Sequence, residues 1–305
     1  MIWFDRALVF RCGEDSLVGV LSAPETPANT GVVVVVGGPQ YRAGSHRQFV
    51  LLARALAAAG YAVLRFDYRG MGDSSGERRD FEALTEDIAA AVDALRQADG
   101  RVQNVVLWGL CDGASAALLY WHTTRDQRVV GFCVANPWVR SEVTLARRHL
   151  RHDYVKRLRE LDFWFKLLSG KGVARAAASL LRNIRVACAF GSTRRMSRTG
   201  VRDVFQNRMA SAILTFRGPI LLSLSGRDYT AREFKELAAS DPRWKTLLRL
   251  HTVSARDFPH ADHTFSDAVS RQQLEAFTCD WLKALALHAA SKIEVTRQEH
   301  ARGMN

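Results

Sequence analysis

Hydrophobic and polar positions follow two alternating periods over most of the chain. The continuous β-branched run at residues 31–36 predicts a strand buried on both faces. Residues 45–59 predict a helix, because Phe49, Leu52 and Leu56 fall on one face of it. Further strands are predicted at 7–11 and 17–22, as an antiparallel pair, and at 62–66, 104–108, 130–135, 220–224 and 248–253, with further helices at 85–96, 113–122, 231–239 and 266–287. Strands that alternate with helices favour an α/β fold, in which helices cover both faces of a mostly parallel sheet.

A strongly basic segment interrupts this alternation in the middle of the chain. Between Trp138 and Ala210 there are 17 Lys and Arg residues against five Asp and Glu residues. This excess accounts for the whole net charge of +12, so the rest of the chain is formally neutral. We therefore predict a core made of residues 1–137 and 212–291, an inserted segment at 138–211 and a polar, frayed C-terminal tail at 292–305.

The composition is that of an ordinary globular protein. Apolar residues make up 48% of the 305 positions and charged residues 24%, which excludes an intrinsically disordered chain. Charged residues interrupt the first apolar stretches, and no run is long enough for a membrane span, so we expect a soluble, cytoplasmic protein without a signal peptide. The five cysteines lack the spacing of a zinc site or a disulfide framework, and we expect neither metal nor cofactor.

One pentapeptide carries a strong chemical signal. The sequence Gly-Leu-Cys-Asp-Gly at residues 109–113 lies between a predicted strand and a predicted helix, where the G-x-S-x-G nucleophile elbow occurs, with Cys111 in place of serine. Such a turn strains the nucleophile's backbone and leaves no room for β-carbons at Gly109 and Gly113. The helix that follows directs N–H groups and a positive dipole end at the sulfur, which favours thiolate. The other four cysteines are predicted to be small apolar side chains: Cys12, Cys133, Cys188 and Cys279.

Two further residues follow in the order that a catalytic triad on this fold requires. Asp228 lies in the loop after the strand predicted at 220–224, and His263 lies in the loop before the last helix. The order is nucleophile, acid and histidine. We therefore predict that Cys111, Asp228 and His263 form a catalytic triad.

These motifs resemble those of the α/β-hydrolase superfamily over nearly the whole chain. Residues 66–75 are similar to that superfamily's D-x-R-G-x-G-x-S stretch. More narrowly, residues 37–49 together with 109–113 resemble the exosortase A system-associated hydrolases of type 1, which are found beside exopolysaccharide and protein-sorting genes in bacteria. The resemblance implies an eight-stranded, mostly parallel sheet with a helical, basic cap inserted after strand 6, and a role in exopolysaccharide-related metabolism.

The oxyanion hole departs from the usual pattern. One donor is expected to be the N–H of Asp112, and the other an N–H of the loop after the strand at 31–36. In the usual loop the second donor would fall at Pro39, which has no N–H, so we assign it to Gln40, by backbone or side-chain amide. Gly38 and Tyr41 of the same loop are assigned to substrate binding. The alternative is that residues 37–39 form only a tight turn.

Asp112 is an unusual neighbour for a thiolate, because like charges oppose ionisation. We interpret it as a cap on the helix that begins there. The alternative is that it orients a substrate amine or an acyl acceptor.

The basic insertion contains an amphipathic stretch. Its apolar residues recur at spacings of four and three along one stripe, and they are Tyr154, Leu158, Leu161, Phe165 and Leu168. We interpret the stripe as the face by which a cap packs on the core, and the alternatives are contact with an anionic membrane and binding of an anionic substrate. We assign Arg147, Arg148 and Arg151 to substrate binding. No groove-reading motif accompanies the charge, so nucleic acid is not expected as a partner.

Three functions fit these features. The first is an acyl hydrolase of the esterase or thioesterase type, acting through a thioester on Cys111 and taking donors that are carried by CoA or a carrier protein. The second is an acyltransferase that passes the acyl group to an amine or alcohol acceptor. The third is a binding module without catalysis, which an intact Cys/His/Asp set disfavours.

Overall fold

A single eight-stranded sheet forms the centre of the protein. The computed structural model describes residues 2–38, 40–140 and 204–302, with side chains as far as residue 287. The strands lie in the order β1-β2-β4-β3-β5-β6-β7-β8. Their bounds are β1 Trp3–Cys12, β2 Asp15–Pro24, β3 Thr30–Val35, β4 Val63–Phe66, β5 Asn104–Leu110, β6 Val129–Ala135, β7 Ile220–Ser225 and β8 Val253–Phe258.

The sheet is mostly parallel, as predicted. Strand β2 pairs antiparallel with β1 and β4, and every other neighbouring pair, from β4 through β3 to β8, is parallel. In register, Val35 of β3 lies opposite Gly109 of β5. Because parallel strands end at the same edge of a sheet, the loops after β3, β5, β7 and β8 meet there.

Seven helices are described, numbered here in chain order. They are α1 Gln48–Ala58, α2 Thr85–Ala98, α3 Asp112–Thr124, α4 Phe205–Thr215, α5 Tyr229–Ser240, α6 Pro242–Leu247 and α7 Ala268–Arg302. The first begins three residues later than predicted. Residues 45–47 form a 3₁₀ turn, and the positive φ angles of His46, 52°, and Arg47, 60°, keep the α-helix from beginning before Gln48.

The two faces of the sheet carry separate cores. Val33 and Val35 point to one face, where helices α2, α3 and α4 pack, while Val32 and Val34 point to the other with α1 and α7. All four valines are fully buried. The continuous β-branched run therefore has the two-sided burial that its sequence predicts.

The strand predicted at residues 248–253 is wrong. Residues 242–247 form helix α6, and the last strand is Val253–Phe258, mostly exposed along its length. Two of the apolar residues that suggested the strand, Leu248 and Leu250, lie after α6 and pack partly buried against the core. Strand β8 lies at the sheet edge with one neighbouring strand, and because most of its side chains are exposed, its sequence lacks a continuous apolar run.

Two other predicted boundaries fall inside helices. Helix α4 crosses the boundary predicted between the inserted segment and the core, at residues 211 and 212. Its Phe205 and Met209 belong to the same core cluster as the buried residues of α3. Helix α7 continues to Arg302, through the segment predicted to be frayed. The apolar stripe at 154–168 and Cys188 lie outside the described residues. Within the described ranges, no helix is long and apolar enough to cross a lipid bilayer.

Candidate active site

Cys111 lies on a sharp turn between β5 and α3. Its backbone has φ 61° and ψ −128°, a strained combination for a residue with a β-carbon. A β-carbon on Gly109 would lie 2.5 Å from the amide nitrogen of Ala114, and one on Gly113 would lie 2.3 Å from the carbonyl oxygen of Val35. Both glycines are therefore required, as the pentapeptide predicts. The Cys111 side chain is partly exposed at the carboxyl edge of the sheet.

Asp228 follows β7 and is fixed by the helix that it begins. Its carboxylate accepts hydrogen bonds from the backbone N–H groups of Thr230, at 3.1 Å, and Ala231, at 2.9 Å. These bonds cap α5 and hold the side chain in place. Burial alone raises the pKa of the Asp228 carboxyl, but His263 and the two backbone donors outweigh burial and lower it below its usual value. Asp228 is therefore a fixed negative charge.

His263 lies between Asp228 and Cys111. Its Nδ1 is 3.0 Å from Oδ1 of Asp228, and its ring also hydrogen-bonds with the Cys111 side chain. The Nδ1–Oδ1 distance is that of a hydrogen bond, but the Nδ1–H bond does not point directly at the carboxylate oxygen. Asp228 first, and then Cys111, stabilise the imidazolium form and raise the pKa of His263 to about 10, although burial opposes them. The three residues that the sequence selected are thus in one chain of contacts.

Asn136, directly after β6, holds the loop that carries His263 in place. It is fully buried at the end of β6, with φ 43°. Its side-chain amide donates to the Ser225 hydroxyl at 2.9 Å and to the backbone carbonyl of His263 at 3.1 Å, and its oxygen accepts from the Ser225 N–H at 2.8 Å. The sequence patterns did not single out Asn136 as a functional residue. The available signal was an amide side chain directly after a buried strand and before a proline.

The loop after β3 contacts the elbow directly. The Gly38 N–H donates to Oδ1 of Asp112 at 2.5 Å, and the Tyr68 hydroxyl donates to the Gly38 carbonyl at 3.2 Å. A β-carbon on Gly37 would lie 2.3 Å from the same Asp112 oxygen. The backbone N–H that faces the elbow is therefore that of Gly38, one residue before Pro39.

The remaining predicted residues of this loop are turned elsewhere or exposed. The side-chain oxygen of Gln40 accepts from the Ser45 N–H at 3.0 Å and from the Gln48 amide at 3.3 Å, which ties it to its own loop. The Tyr41 ring is half exposed, and the Arg42 guanidinium lies 5.9 Å from its centre. Pro39 and the three arginines assigned to substrate binding, Arg147, Arg148 and Arg151, lie outside the described residues.

A buried carboxylate connects the loop after β3 to the loop after β4. Asp67 accepts from the Arg42 N–H at 2.6 Å and also forms an ion pair with the Arg42 guanidinium, which reaches Asp73 at 2.6 Å. The Asp67 side chain has no exposed surface. This contact gives a physical role to the aspartate of the stretch at 66–75, which sequence analysis had used only for the resemblance.

Asp112 does not occupy the capping position assigned to it. The residue before α3 is Cys111, and the Asp112 carboxylate extends to the loop after β3 instead. Burial raises the pKa of this carboxyl above its usual range, although the N–H groups of Gly38, Gly113 and Asp112 itself oppose the rise. Among the described residues, no group of His, Cys, Asp or Glu side chains has a metal-binding arrangement.

The sheet order, the turn at Cys111 and the loops at the sheet's carboxyl edge define an α/β-hydrolase. Residues 27–199, more than half of the chain, match the family model described as serine aminopeptidase, S33, and the chain belongs to that family of hydrolases. The matched range includes the elbow, at which this chain has Cys111. Asp228 and His263 lie beyond it.

Two curated proteins share a shorter region. The human protein ABHD12B is 36% identical over 89 residues, which cover 29% of this chain and 24% of that protein. The quorum-quenching protein AidA of Acinetobacter baumannii (strain MDR-ZJ06) is 36% identical over 103 residues, 32% of this chain and 33% of that protein. The alignments thus span about a quarter and a third of these relatives.

Solved structures share the fold over almost the whole length. The esterase Pf2001 of Pyrococcus furiosus superposes with a TM-score of 0.61 at 17% identity, covering 93% of each chain. The mouse α/β-hydrolase domain-containing protein 10 superposes with a TM-score of 0.58 at 14% identity, covering 92% of this chain and 99% of that one. At sequence identities this low, the structural similarity shows that these proteins and this chain share a fold.

Proposed function

We propose that this protein is an acyl hydrolase in which Cys111 is the nucleophile, His263 the proton carrier and Asp228 the group that orients His263. The observation that carries the proposal is the chain of contacts from the Asp228 carboxylate through the His263 ring to the Cys111 sulfur. Unrelated folds activate a serine or cysteine by the same spatial arrangement, in which the nucleophile contacts a base and the base contacts an orienting acid.

The electrostatics favour proton transfer from sulfur to imidazole. A His263 pKa of about 10 means that the ring holds a proton strongly while Asp228 stays ionised. A thiol is a much better proton donor than a serine hydroxyl, so an imidazole that holds a proton strongly can take the Cys111 proton as the acyl donor is attacked. This preference makes a cysteine suitable at an elbow that carries serine in most α/β-hydrolases.

The reaction then follows in two balanced halves. The Cys111 thiolate attacks the acyl carbon, and the carbonyl oxygen takes up the electron pair as an oxyanion. Collapse of the intermediate expels the alcohol or thiol, which takes the proton from His263, and leaves a thioester on Cys111. Water then gives its proton to His263 and attacks the thioester, and the acid leaves as the thiolate re-forms.

The oxyanion is held by two N–H groups in this proposal. One is the N–H of Asp112, the residue after the nucleophile, and the other belongs to the loop after β3. Gly38 is the better supported donor in that loop, because its N–H faces the elbow. Gln40 would contribute its backbone N–H to the oxyanion hole, since its side-chain oxygen is bound within the loop.

The substrate class is an ester or thioester with an anionic carrier. The excess charge lies in one segment, Trp138 to Ala210, which follows the strand next to the elbow strand. A concentrated positive field attracts CoA or carrier-protein thioesters, and Arg147, Arg148 and Arg151 are its proposed contacts. The resemblance to the exosortase A system-associated hydrolases adds exopolysaccharide-related metabolism as the context, in the cytoplasm. The alternative for the basic segment is contact with an anionic membrane.

A second candidate reaction is acyl transfer. Cys111 stands in a family named for serine, and a thioester reacts with amines much more readily than an oxygen ester does. The same acyl-enzyme would then be intercepted by an amine or alcohol in place of water. The two reactions share every step up to deacylation.

Steady-state assays with variants test the proposal. Cys111→Ala should abolish hydrolysis of p-nitrophenyl acetate and acetyl-CoA while circular dichroism stays unchanged, because the side chain is at the sheet edge and contributes little to the core. Cys111→Ser should retain a trace. Cys279→Ala is the matched control, since Cys279 is also a partly buried free thiol but lies on α7. Full activity of Cys111→Ala would remove Cys111 from the mechanism. Faster product release on adding amines, without more free acid, would assign the protein to acyl transfer.

A further inference from the structure

The Asp112 carboxylate lies where the oxyanion of a substrate should lie. The two N–H groups best placed to hold an oxyanion are those of Asp112 and Gly38, and the carboxylate interacts with both. The bond from Gly38 is 2.5 Å long, and Asp112 is half-buried. A carboxylate oxygen resembles the oxyanion of a tetrahedral intermediate in charge and in hydrogen-bonding capacity.

Within residues 2–38, 40–140 and 204–287, the main groups that act on the Asp112 carboxylate include no cation. Those that act on it electrostatically include Tyr68, whose hydroxyl bonds to the Gly38 carbonyl, and Asp80, a like charge. His263, the candidate cation of the proposed triad, is paired with Asp228 and Cys111. In the part of the chain that the structure describes, the carboxylate is therefore held by N–H groups, and burial disfavours its charge.

We propose that the Asp112 side chain is a built-in occupant of the oxyanion hole, which must leave the Gly38 N–H before an acyl donor can react at Cys111. The inference rests on the proposed function and adds to it a residue that controls the rate of acylation. A rotation about the Asp112 side chain frees the Gly38 N–H, and the carbonyl oxygen of the donor takes its place. Acyl donors whose carbonyl oxygen displaces the Asp112 carboxylate from the Gly38 N–H react. Donors that do not displace it remain unreacted.

The contact between Asp112 and Gly38 has a simpler competing role. The carboxylate could hold the loop after β3 in position, so that Gly38 keeps the geometry of a donor. The two roles give opposite predictions for removal of the side chain. An occupant slows acylation and its loss speeds the reaction, whereas a positioning group supports acylation and its loss slows the reaction.

The test compares acylation with alkylation in rapid-mixing experiments. The burst of p-nitrophenolate from p-nitrophenyl acetate measures acylation, which forms an oxyanion, and iodoacetamide measures the reactivity of the Cys111 thiolate without one. Wild type is compared with Asp112→Ala and with Asp112→Asn, which keeps an acceptor oxygen for Gly38. Asp80→Asn is the matched control, because it removes a neighbouring charge outside the hole. Asp112→Ser has a shorter side chain that suits a helix start, and it replaces the Ala variant if that variant does not fold.

Since removing one oxyanion donor from an enzyme costs about 10²–10³ in rate, restoring one should be a large effect. We expect Asp112→Ala to raise the ratio of acylation rate to alkylation rate by about tenfold or more, Asp112→Asn to raise it less, and Asp80→Asn to leave it unchanged. An unchanged or lower ratio in Asp112→Ala overturns the inference while the proposed function stands. If Cys111 is alkylated but no variant is acylated, the proposed function fails, and the inference fails with it.

Discussion

Replacing Asp228 with Asn removes the negative charge that faces His263 while keeping the start of helix α5. Asn caps a helix about as well as Asp, although its single amide oxygen can accept only one of the two bonds, which in the wild type run from Thr230 to Oδ1 and from Ala231 to Oδ2. The His263 pKa of about 10 lies well above its ordinary value of 6.5, with Asp228 as the largest cause. Loss of an opposite charge at this distance lowers such a pKa by about 1–3 units, so the imidazolium is weakened about 10- to 1000-fold. We expect kcat/KM for p-nitrophenyl acetate to fall about 10²- to 10⁴-fold.

The assay follows the thiolate directly as well as turnover. The rate at which iodoacetamide alkylates Cys111, measured against pH, should be lower in Asp228→Asn than in wild type, because loss of Asp228 lowers the pKa of the His263 ring that takes the Cys111 proton. Thermal unfolding in the two proteins should differ little. Equal pH profiles, or a variant that keeps most of its activity, would show that another carboxylate orients His263 and would refute the reasoning.

Three further changes test other parts of the structure. Because the pKa of His263 is raised on folding, its contribution to stability is fully present below about pH 6.5 and is lost as the pH rises towards about 10; urea unfolding of wild type should therefore weaken over this range more than that of His263→Gln. Asn136→Ala leaves the Ser225 N–H and the His263 carbonyl without their partner, so we expect the free energy of unfolding in urea to fall by about 1–3 kcal/mol and kcat to fall as well. An unaltered kcat would show that Asn136 has no part in holding the loop that carries His263. Changing Arg147, Arg148 and Arg151 to Gln should lower kcat/KM for acetyl-CoA at low salt but not for p-nitrophenyl acetate; equal responses of the two donors would exclude steering by this segment.

The central strands and the elbow were predictable because their requirements are local. A buried parallel strand needs a continuous apolar run, as at Val32 to Val35, and a nucleophile elbow needs glycines at fixed spacing. The order of Asp228 and His263 along the chain adds the rest of the proposed triad. Strand β8 was missed because a strand at the sheet edge whose side chains are mostly exposed needs no such run.

The contacts of the loop after β3 were not predictable, because they join residues far apart in sequence. Gly38 bonds to Asp112, and Arg42 bonds to Asp67, across two different strand ends. Nothing in a single sequence says which carboxylate a backbone N–H will reach. The same is true of Asn136, whose role depends on Ser225 and on the carbonyl of His263.

The central claim is that an acyl group is carried on the sulfur of Cys111. The most direct measurement is peptide mapping by mass spectrometry of protein quenched in acid within milliseconds of mixing with p-nitrophenyl acetate. We predict one acetyl group per chain, on the peptide that contains Cys111, appearing with the burst of p-nitrophenolate and absent from Cys111→Ala. An acetyl group on another residue at the same rate, or a burst that persists in Cys111→Ala, would contradict the account.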